Sequence, residues 1–174
     1  VLSCEPTLLM RWLIPALPEI QAAHPHIELQ LAAAEGDVPF EREGIDIAIR
    51  RDDYDWPNDI IAKPFMEEWV GPVCTPRIAA RLGLHEHGVS ALENATLLHS
   101  RTRPGIWQQW LNEHAPKLQA AAGKSFEHLY FSLQAAAAGL GVAIAPYATV
   151  HQDLESGVLV APFGFFQNRS SYCL

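Results

Sequence analysis

The chain has 174 residues, of which 49% are hydrophobic and 18% are charged, and its formal net charge at pH 7 is -8. This composition excludes a disordered tail, a coiled coil and a collagen-like fibre, and it is typical of one domain or two small lobes with a buried core. The negative charge argues against DNA binding by this segment, because phosphate contacts require clustered Lys and Arg. No run of about 20 apolar residues is present, so we expect no contact with a membrane.

The cysteines and the chain ends indicate a cellular setting. Cys4, Cys74 and Cys173 are odd in number and scattered, without a C-x-x-C pair, which favours reduced thiols in a cytoplasmic protein over disulfides or a zinc site. The chain starts inside a strand-like segment without a signal peptide and stops in another at 169–174. We therefore expect a cytoplasmic fragment of a longer protein.

The first 50 residues predict alternating strands and helices. Val1–Cys4 is expected to be a buried strand, followed by a helix for which Thr7 is a good N-cap. Pro15 and Pro18 predict a kink or a helix proper that begins near Pro15 and ends at His24. The later elements are a strand at 27–31, where apolar and polar residues alternate, a short helix at 38–43 and a strand at 45–49. This β–α–β–α–β order predicts a parallel, doubly wound α/β lobe.

The rest of the chain predicts a second lobe of the same kind. Predicted strands lie at 60–62, 69–74, 97–99, 142–145, 159–163 and 172–174, and predicted helices at 76–82, 90–94, 105–114 and 128–138. Ser90 is expected to cap the second of these helices, and Gly139 to stop the last one. The two lobes are expected to join near 71–73 and 161–163. Glu35 to Glu68 carries eleven acids against four bases, which we interpret mainly as a solvated acidic face.

Motifs for catalysis and metal binding are weak in this sequence. Gly139-Leu140-Gly141 follows a helix and precedes a strand, the reverse of the dinucleotide-binding order. The H-x-H pairs, at 24/26 and 85/87, lack the further ligands that zinc needs and are better read as surface turns. No G-x-S-x-G elbow is present, and the neighbours His99 and Ser100 should point to opposite faces of a strand. We expect no enzyme activity, no metal and no cofactor.

With catalytic and metal motifs weak, the sequence favours the binding of a small ligand at strand ends. Ligands of doubly wound sheets lie beyond the carboxyl ends of the strands, against helix N-termini. Three segments have this position: 4–8, 99–102 and 126–129. Thr7 is either a plain N-cap or a ligand contact, and Glu5 either complements the helix dipole or accepts a hydrogen bond from a cation. Arg50 and Arg51 end a strand and either hold a carboxylate or pair with the nearby Asp52, Asp53 or Asp55.

An ordered set of segments resembles a known family. The set comprises PTLLMRWLIPALPEIQAAHPHIELQL, EGIDIAIR, WVGPVCTP, ATLLHS, GLGVAIAP and LESGVLVAPFG, and it covers essentially the whole chain. Together these segments resemble the effector-binding domain of LysR-type transcriptional regulators, closest to the branch with the glycine-cleavage, D-serine and β-lactamase activators. The resemblance implies two doubly wound α/β lobes similar to type 2 periplasmic binding proteins. Lobe I would comprise 1–72 plus 163–174, and lobe II would comprise 73–162.

The resemblance also implies partners and a function. An N-terminal winged helix-turn-helix and linker helix, absent from this fragment, would bind DNA, and the fragment would sense a small polar effector in an interlobe cleft. The family assembles as dimers through the lobe I helix and strand, here 12–23 and 27–31, against the lobe II helix, here 133–138, and as tetramers in the full-length protein. A solute-binding protein of a transport system is the alternative function, and a signal peptide encoded upstream would indicate it.

The expected effector site combines strand ends with the resemblance. The β-lactamase-activator branch uses a hydroxyl at the position of Thr7, an acid at Asp46 and an aromatic hydroxyl at Tyr172, and this sequence departs from it at Glu5 and His128. The expected effector-binding residues are Cys4, Glu5, Pro6, Thr7, Asp46, Ser100, Arg101, Phe126, Glu127, His128 and Tyr172. Glu5 and Glu127 lack sequence-local basic partners, whereas Arg101 and the helix starts favour a carboxylate. A zwitterion, such as an amino acid or a small amine-bearing peptide, would offer an amine to the two glutamates and a carboxylate to Arg101 and the helix starts.

Overall fold

A computed structural model describes residues 1–36, 38, 40, 44–53, 56, 59–120 and 123–174. The chain forms two compact units, unit 1 (Val1–Glu68 with Gln167–Leu174) and unit 2 (Trp69–Phe166). The chain therefore passes between the units at 68/69 and at 166/167, whereas the sequence placed these passages at 72/73 and 162/163. Unit 1 is discontinuous in sequence.

Strands and helices alternate along much of the chain. The strands are β1 (Leu2–Cys4), β2 (Leu31–Ala33), β3 (Ile47–Arg51), β4 (Pro64–Val73), β5 (Leu97–Ser100), β6 (Lys124–Phe126), β7 (Val142–Pro146) and β8 (Phe166–Cys173). The α-helices are α1 (Pro6–Leu8), α2 (Ile14–Ala23), α3 (Pro76–Leu82), α4 (Leu84–His87), α5 (Ile106–His114), α6 (Leu129–Ala137) and α7 (His151–Glu155). A π-helical segment, Leu9–Leu13, joins α1 to α2, and 3-10 segments lie at Gly88–Asn94 and Tyr147–Thr149.

Unit 1 contains the predicted parallel sheet. All three residues of β1 are buried, and this strand pairs in parallel with β2 on one side and with β3 on the other. Next to β3 lies β8, which runs antiparallel to it, and the first half of β4 lies beyond β8. The parallel β–α–β order predicted from the first 50 residues is confirmed, whereas the antiparallel addition by β8 depends on a strand more than 100 residues away in sequence.

The helix after β1 begins differently from the prediction. Thr7 is not the N-cap: Glu5 precedes the helix, Pro6 occupies its first turn, and no side chain caps it. The proline ring fixes φ near the helical value and needs no N–H there, so the helix starts at Pro6 and Thr7 lies inside the first turn. The predicted change near Pro15 is confirmed, because a π-helical segment ends at Leu13 and α2 begins at the next residue.

Several predicted elements are shifted or lost. The strand expected at 27–31 is wrong except for its last residue, because the Ile27 amide donates to the His24 carbonyl at 3.0 Å and the chain turns before β2 begins. Residues 60–62 form no strand, and 159–163 contribute one isolated bridge, from Val160 to Cys74. Ser90 is not an N-cap but lies inside a 3-10 segment, where its hydroxyl donates to the His87 carbonyl. The helix expected at 38–43 lies largely outside the described residues.

Unit 2 has a sheet between two layers of side chains. The order of its strands is β4, β7, β5 and β6, with β7, β5 and β6 parallel and β4 antiparallel to β7. Successive residues of β7 alternate between the two apolar clusters: Val142 and Ile144 pack with α3 and α5, and Ala143 and Ala145 with α6. Gly139 has a φ of +78° and follows Ala138, the C-cap of α6, which confirms it as the helix stop.

Candidate functional site

The candidate site in unit 1 starts at the carboxyl end of β1, where four of the expected residues follow one another. Cys4 is completely buried and Thr7 is 6% exposed, whereas Glu5 and Pro6 are partly exposed. The Leu9 amide donates to the Glu5 carbonyl at 2.8 Å, so the backbone of Glu5 already belongs to the first helical turn. Glu5 is the one charged residue of the segment 4–7, and its side chain is partly exposed.

The thiol of Cys4 is inert at neutral pH. Burial raises the pKa of the Cys4 thiol to about 12; the Glu5 carboxylate also raises it, and the Arg50 guanidinium lowers it. Burial likewise raises the pKa of Cys74 to about 11 and raises the pKa of Cys173. All three cysteines are free and buried, so the predicted reduced thiols agree with the structure and none of them is a candidate nucleophile.

Asp46 is not brought together with Thr7. It directly precedes β3, where its amide donates to the Val1 carbonyl at 2.9 Å and its exposed carboxylate contacts the Val1 nitrogen. Since β1 and β3 are parallel and Leu2 pairs with Ile47, Asp46 lies at the amino edge of this sheet. The Cys4–Thr7 segment follows the opposite, carboxyl edge.

Tyr172 is only 2% exposed and belongs to a polar cluster of β4 and β8. Its hydroxyl donates to Glu68 Oε1 at 3.0 Å, and Asn168 Nδ2 donates to Glu68 Oε2 at 2.6 Å. Glu68 is 1% exposed, so it is an exception to the acidic face that was interpreted as mainly solvated. The alternation of buried and exposed residues in β4 could have indicated the burial of Glu68, since Glu68 and Val70 are buried and Glu67 and Trp69 are exposed.

The two arginines at the end of β3 have different roles. Arg50 is 1% exposed and donates to Ser3 Oγ at 2.9 Å, to the Ile49 carbonyl at 2.8 Å and to the Gly36 carbonyl at 3.4 Å. Arg51 forms an ion pair with Asp53. The aspartate-pairing alternative therefore holds for Arg51, whereas Arg50 is enclosed in unit 1.

The candidate site in unit 2 is built on the carboxyl ends of β5 and β6. Ser100 pairs in register with Phe126, and the Arg101 amide donates to the Phe126 carbonyl at 2.8 Å. The Ser100 and Thr102 hydroxyls lie 3.0 Å apart, and the Arg101 side chain is exposed. The structure thus brings Ser100, Arg101 and Phe126 together. It adds Thr102, which belongs to the predicted segment 99–102 but was not among the expected effector-binding residues.

Glu127 and His128 complete this end of unit 2. Glu127 is exposed, and His128 directly precedes α6 without a side-chain cap. The imidazole ring of His128 lies almost parallel to the Tyr130 ring, with centroids 5.1 Å apart, and 6.0 Å from the Phe131 ring. The segment therefore carries an exposed carboxylate and, in the residues that follow, a group of neighbouring rings.

Charge is divided unequally between the units. Unit 1 contains fourteen acidic and six basic residues, whereas unit 2 contains six of each. The whole net charge of -8 therefore belongs to unit 1, where the field favours a cationic group, and unit 2 offers an exposed guanidinium at Arg101.

Metal and membrane sites find no support in the described part of the chain. Within it, no group of three or more His, Cys, Asp or Glu side chains is arranged to hold a metal ion. The rings of His24 and His26 are edge-on at 6.3 Å. Among the same residues, no helix has the length and apolar character needed to cross a membrane.

Comparison with known proteins identifies relatives over the full length of the chain. The family model described as LysR substrate binding domain matches residues 1–174. The chain is 39% identical over 175 residues to the HTH-type transcriptional regulator TrpI of Pseudomonas aeruginosa, with 100% of this chain and 59% of that protein covered. It is 34% identical over 170 residues to the HTH-type transcriptional regulator DsdC of Escherichia coli, with 94% and 54% covered.

Solved structures show the same fold. The effector domain of the transcriptional regulator AmpR of Pseudomonas aeruginosa superposes with a TM-score of 0.81 at 32% identity, over 99% of this chain and 81% of that chain. The present chain spans between half and three fifths of the length of the two curated relatives.

Proposed function

The chain belongs to the LysR substrate-binding domain family, and from this premise we propose that it is the effector-sensing part of a DNA-binding transcriptional regulator. The observation that carries the proposal is the family match over all 174 residues, together with 39% identity to a named transcriptional regulator. The matched relatives are considerably longer than this chain. We assign DNA binding to a winged helix-turn-helix and linker helix in the rest of the protein.

The competing functions have less support. The curated relatives named above are transcriptional regulators, which favours this role over solute binding for transport and over catalysis. A regulator acts where its DNA is, so we place the protein in the cytoplasm.

We propose an effector that is amino-acid-like and zwitterionic. In unit 1, Glu5 is the accessible charged group after β1, and the acidic excess of this unit favours an amine. In unit 2, Arg101 directly follows β5, and its exposed guanidinium favours a carboxylate. The proposed contact residues are the expected set without Asp46, which lies at the opposite edge of the unit 1 sheet. Among them, Glu5, Ser100 and Arg101 are polar or charged residues at or directly after strand ends.

Regulation would follow from differential binding. A ligand shifts a conformational equilibrium only as far as it prefers one state over another. An effector that binds one arrangement of the regulator more tightly raises the population of that arrangement and thereby changes the overall affinity of the regulator for DNA.

A thermal-shift screen tests this function. The probes are amino acids, peptidoglycan fragments and small carboxylates that carry no amine. We expect one or more amino acids to raise the melting temperature in a saturable way, because a ligand that binds the native state stabilises it by mass action. A melting temperature unchanged by every amino acid and peptide, with shifts from simple carboxylates alone, would contradict the zwitterion proposal.

Glu5→Gln tests the charge pattern, with Glu19→Gln as the matched control. Glu19 is exposed on α2, so the control removes the same charge from the same unit. Loss of a charge-assisted hydrogen bond should weaken binding of the best amino acid about ten- to a hundredfold in Glu5→Gln and leave binding of its deaminated analogue unchanged. Equal effects of the two substitutions, or none, would show that Glu5 makes no contact with the amine.

We also propose that the domain dimerises through its uncovered apolar elements and that the full-length protein is a tetramer. None of the ten residues of α2 is buried, although the helix is largely apolar, and Met10, Ile14 and Ile27 are each at least 45% exposed. In α6, Leu133, Ala135 and Ala136 are buried inside unit 2, so the face left for a partner carries Phe131 and Gln134 rather than the whole stretch 133–138. A strict monomer in sedimentation at tens of micromolar protein would exclude a dimer of useful affinity.

A further inference from the structure

We propose that Arg50 is a positioning residue that holds the effector-binding segment of unit 1 in place by joining the carboxyl ends of three parallel strands. The inference rests on the proposed function, because it assigns a purpose to the segment 4–7. Arg50 is outside the expected effector-binding set and, being 1% exposed, acts through other residues.

The hydrogen bonds of Arg50 reach each of the three strands or the loop that follows them. Nη2 donates to Ser3 Oγ in β1 at 2.9 Å, Nη1 to the Ile49 carbonyl in β3 at 2.8 Å, and Nε to the carbonyl of Gly36 after β2 at 3.4 Å. The strand order β2, β1, β3 means that one guanidinium crosses the whole parallel part of this sheet.

The shape of the side chain explains why an arginine is needed. A guanidinium is a planar fork with five N–H donors, whereas an ammonium is a compact point charge. The three acceptors of Arg50 lie in different directions, so the planar guanidinium with its several N–H groups can reach them and an ammonium cannot. Ser3 is completely buried, so water cannot replace Arg50 as a donor to its hydroxyl oxygen. Loss of Arg50 therefore leaves this oxygen buried without that hydrogen bond, which is unfavourable.

The backbone transmits this arrangement to the effector segment. Ser3 is followed directly by Cys4 and Glu5, and the Ala34 amide donates to the Cys4 carbonyl at 3.1 Å. The segment 3–5 and the segment 34–36 are thus joined twice, once through the backbone and once through the Arg50 guanidinium. The guanidinium also lowers the pKa of Cys4 against the larger effect of burial, which places its charge close to the start of the segment. Binding residues need such support to stay in a productive geometry.

The experiment compares Arg50→Met with Arg51→Met, a matched control that removes an arginine one position away that pairs with an exposed aspartate. Hydrogen exchange of the unliganded domain is measured amide by amide. We expect the amides of Leu9 and Ala34 to exchange about ten- to a hundredfold faster in Arg50→Met, with unit 2 unchanged. Arg51→Met should leave both amides at the wild-type rate. Faster exchange spread evenly over the chain, or equal effects of the two variants, would overturn the proposal.

Ser3→Ala and Arg50→Lys keep the test decisive if Arg50→Met does not fold. Ser3→Ala removes one acceptor and should accelerate the same two amides to a smaller extent, and Arg50→Lys should restore part of the protection. The thermal shift from the twenty common amino acids is then measured for each variant. We expect the thermal shift to be smaller in the variants whose Leu9 and Ala34 amides exchange faster. The size of the thermal shift should not follow the melting temperature of the unliganded variant. If wild type responds to none of these probes, an amino acid is not the effector and that part of the proposed function fails, while the exchange data still decide the role of Arg50.

Discussion

The buried pair of Tyr172 and Glu68 allows a stability prediction with a defined magnitude. Tyr172→Phe keeps the ring and removes the hydroxyl that donates to Glu68 Oε1 at 3.0 Å. Both residues are at most 2% exposed, so water cannot replace the lost donor. A hydrogen bond to a charged group contributes about 1.5–3 kcal/mol, and we expect this loss in the free energy of unfolding. For a domain of this size the melting temperature should fall by about 3–12 °C.

Urea denaturation and a double-mutant cycle measure this interaction. Tyr172→Phe, Glu68→Leu and the double variant give a coupling free energy that isolates the pair, because leucine has no acceptor for the Tyr172 hydroxyl, provided that the single variants add no new contact. Tyr147→Phe is the control, because Tyr147 is 49% exposed and its loss of a hydroxyl should change stability by less than about 0.5 kcal/mol. A coupling free energy below about 0.5 kcal/mol would refute the reasoning.

The remaining predictions concern the cores of the two units. Because burial raises the pKa of the Cys4 thiol from 9.0 to about 12, the unfolded chain loses this proton first, and the free energy of unfolding should fall from pH 9 upward by up to about 1.4 kcal/mol per pH unit. Cys4→Ala should show a shallower fall in urea titrations at pH 8 and pH 10.5, and an identical slope would contradict the burial. Gly141→Ala should destabilise unit 2 by at least about 1–3 kcal/mol, because a Cβ there would lie 2.1 Å from the Thr96 carbonyl oxygen; calorimetry showing a neutral change would refute this close approach. Trp107→Phe should cost about 1–3 kcal/mol, because the indole N–H donates to the Leu98 carbonyl at 3.1 Å in a site that is 2% exposed, and a smaller loss in urea denaturation would show that the bond is dispensable.

Local patterns were sufficient for the elements that carry a clear period or stop signal. The helix at Pro76–Leu82 was predicted with both of its ends. The structure shows that local residues set them, since Thr75 is the N-cap, Pro76 the first helical residue and Gly83 the C-cap. Gly139 as the stop of α6 and the parallel pairing of β1, β2 and β3 also followed from the sequence. In these cases the signal lies within a few residues of the structure that it specifies.

Contacts between residues distant in sequence were beyond local patterns. Glu68 looked like one acid among many, and its burial results from Asn168 and Tyr172, about 100 positions away. The role of Arg50 depends on Ser3 and Gly36, which only the strand order brings beside it. Thr7 was misread because both a threonine and a proline start helices, and the proline prevailed. Most of the expected effector-binding residues follow strand ends, which local patterns could locate. Their exposure and pairing, and the position of Asp46 at the opposite edge of the sheet, depend on the three-dimensional structure.

Mapping the hydrogen-exchange protection caused by an amino acid that stabilises the wild-type domain tests the central claim most directly. The account predicts protection at two separate places in the sequence, around residues 4–9 after β1 and around 100–102 and 126–129 after β5 and β6. Protection restricted to other segments, or the same exchange with and without a saturating amino acid, would contradict the assignment of these strand ends as the effector-binding residues.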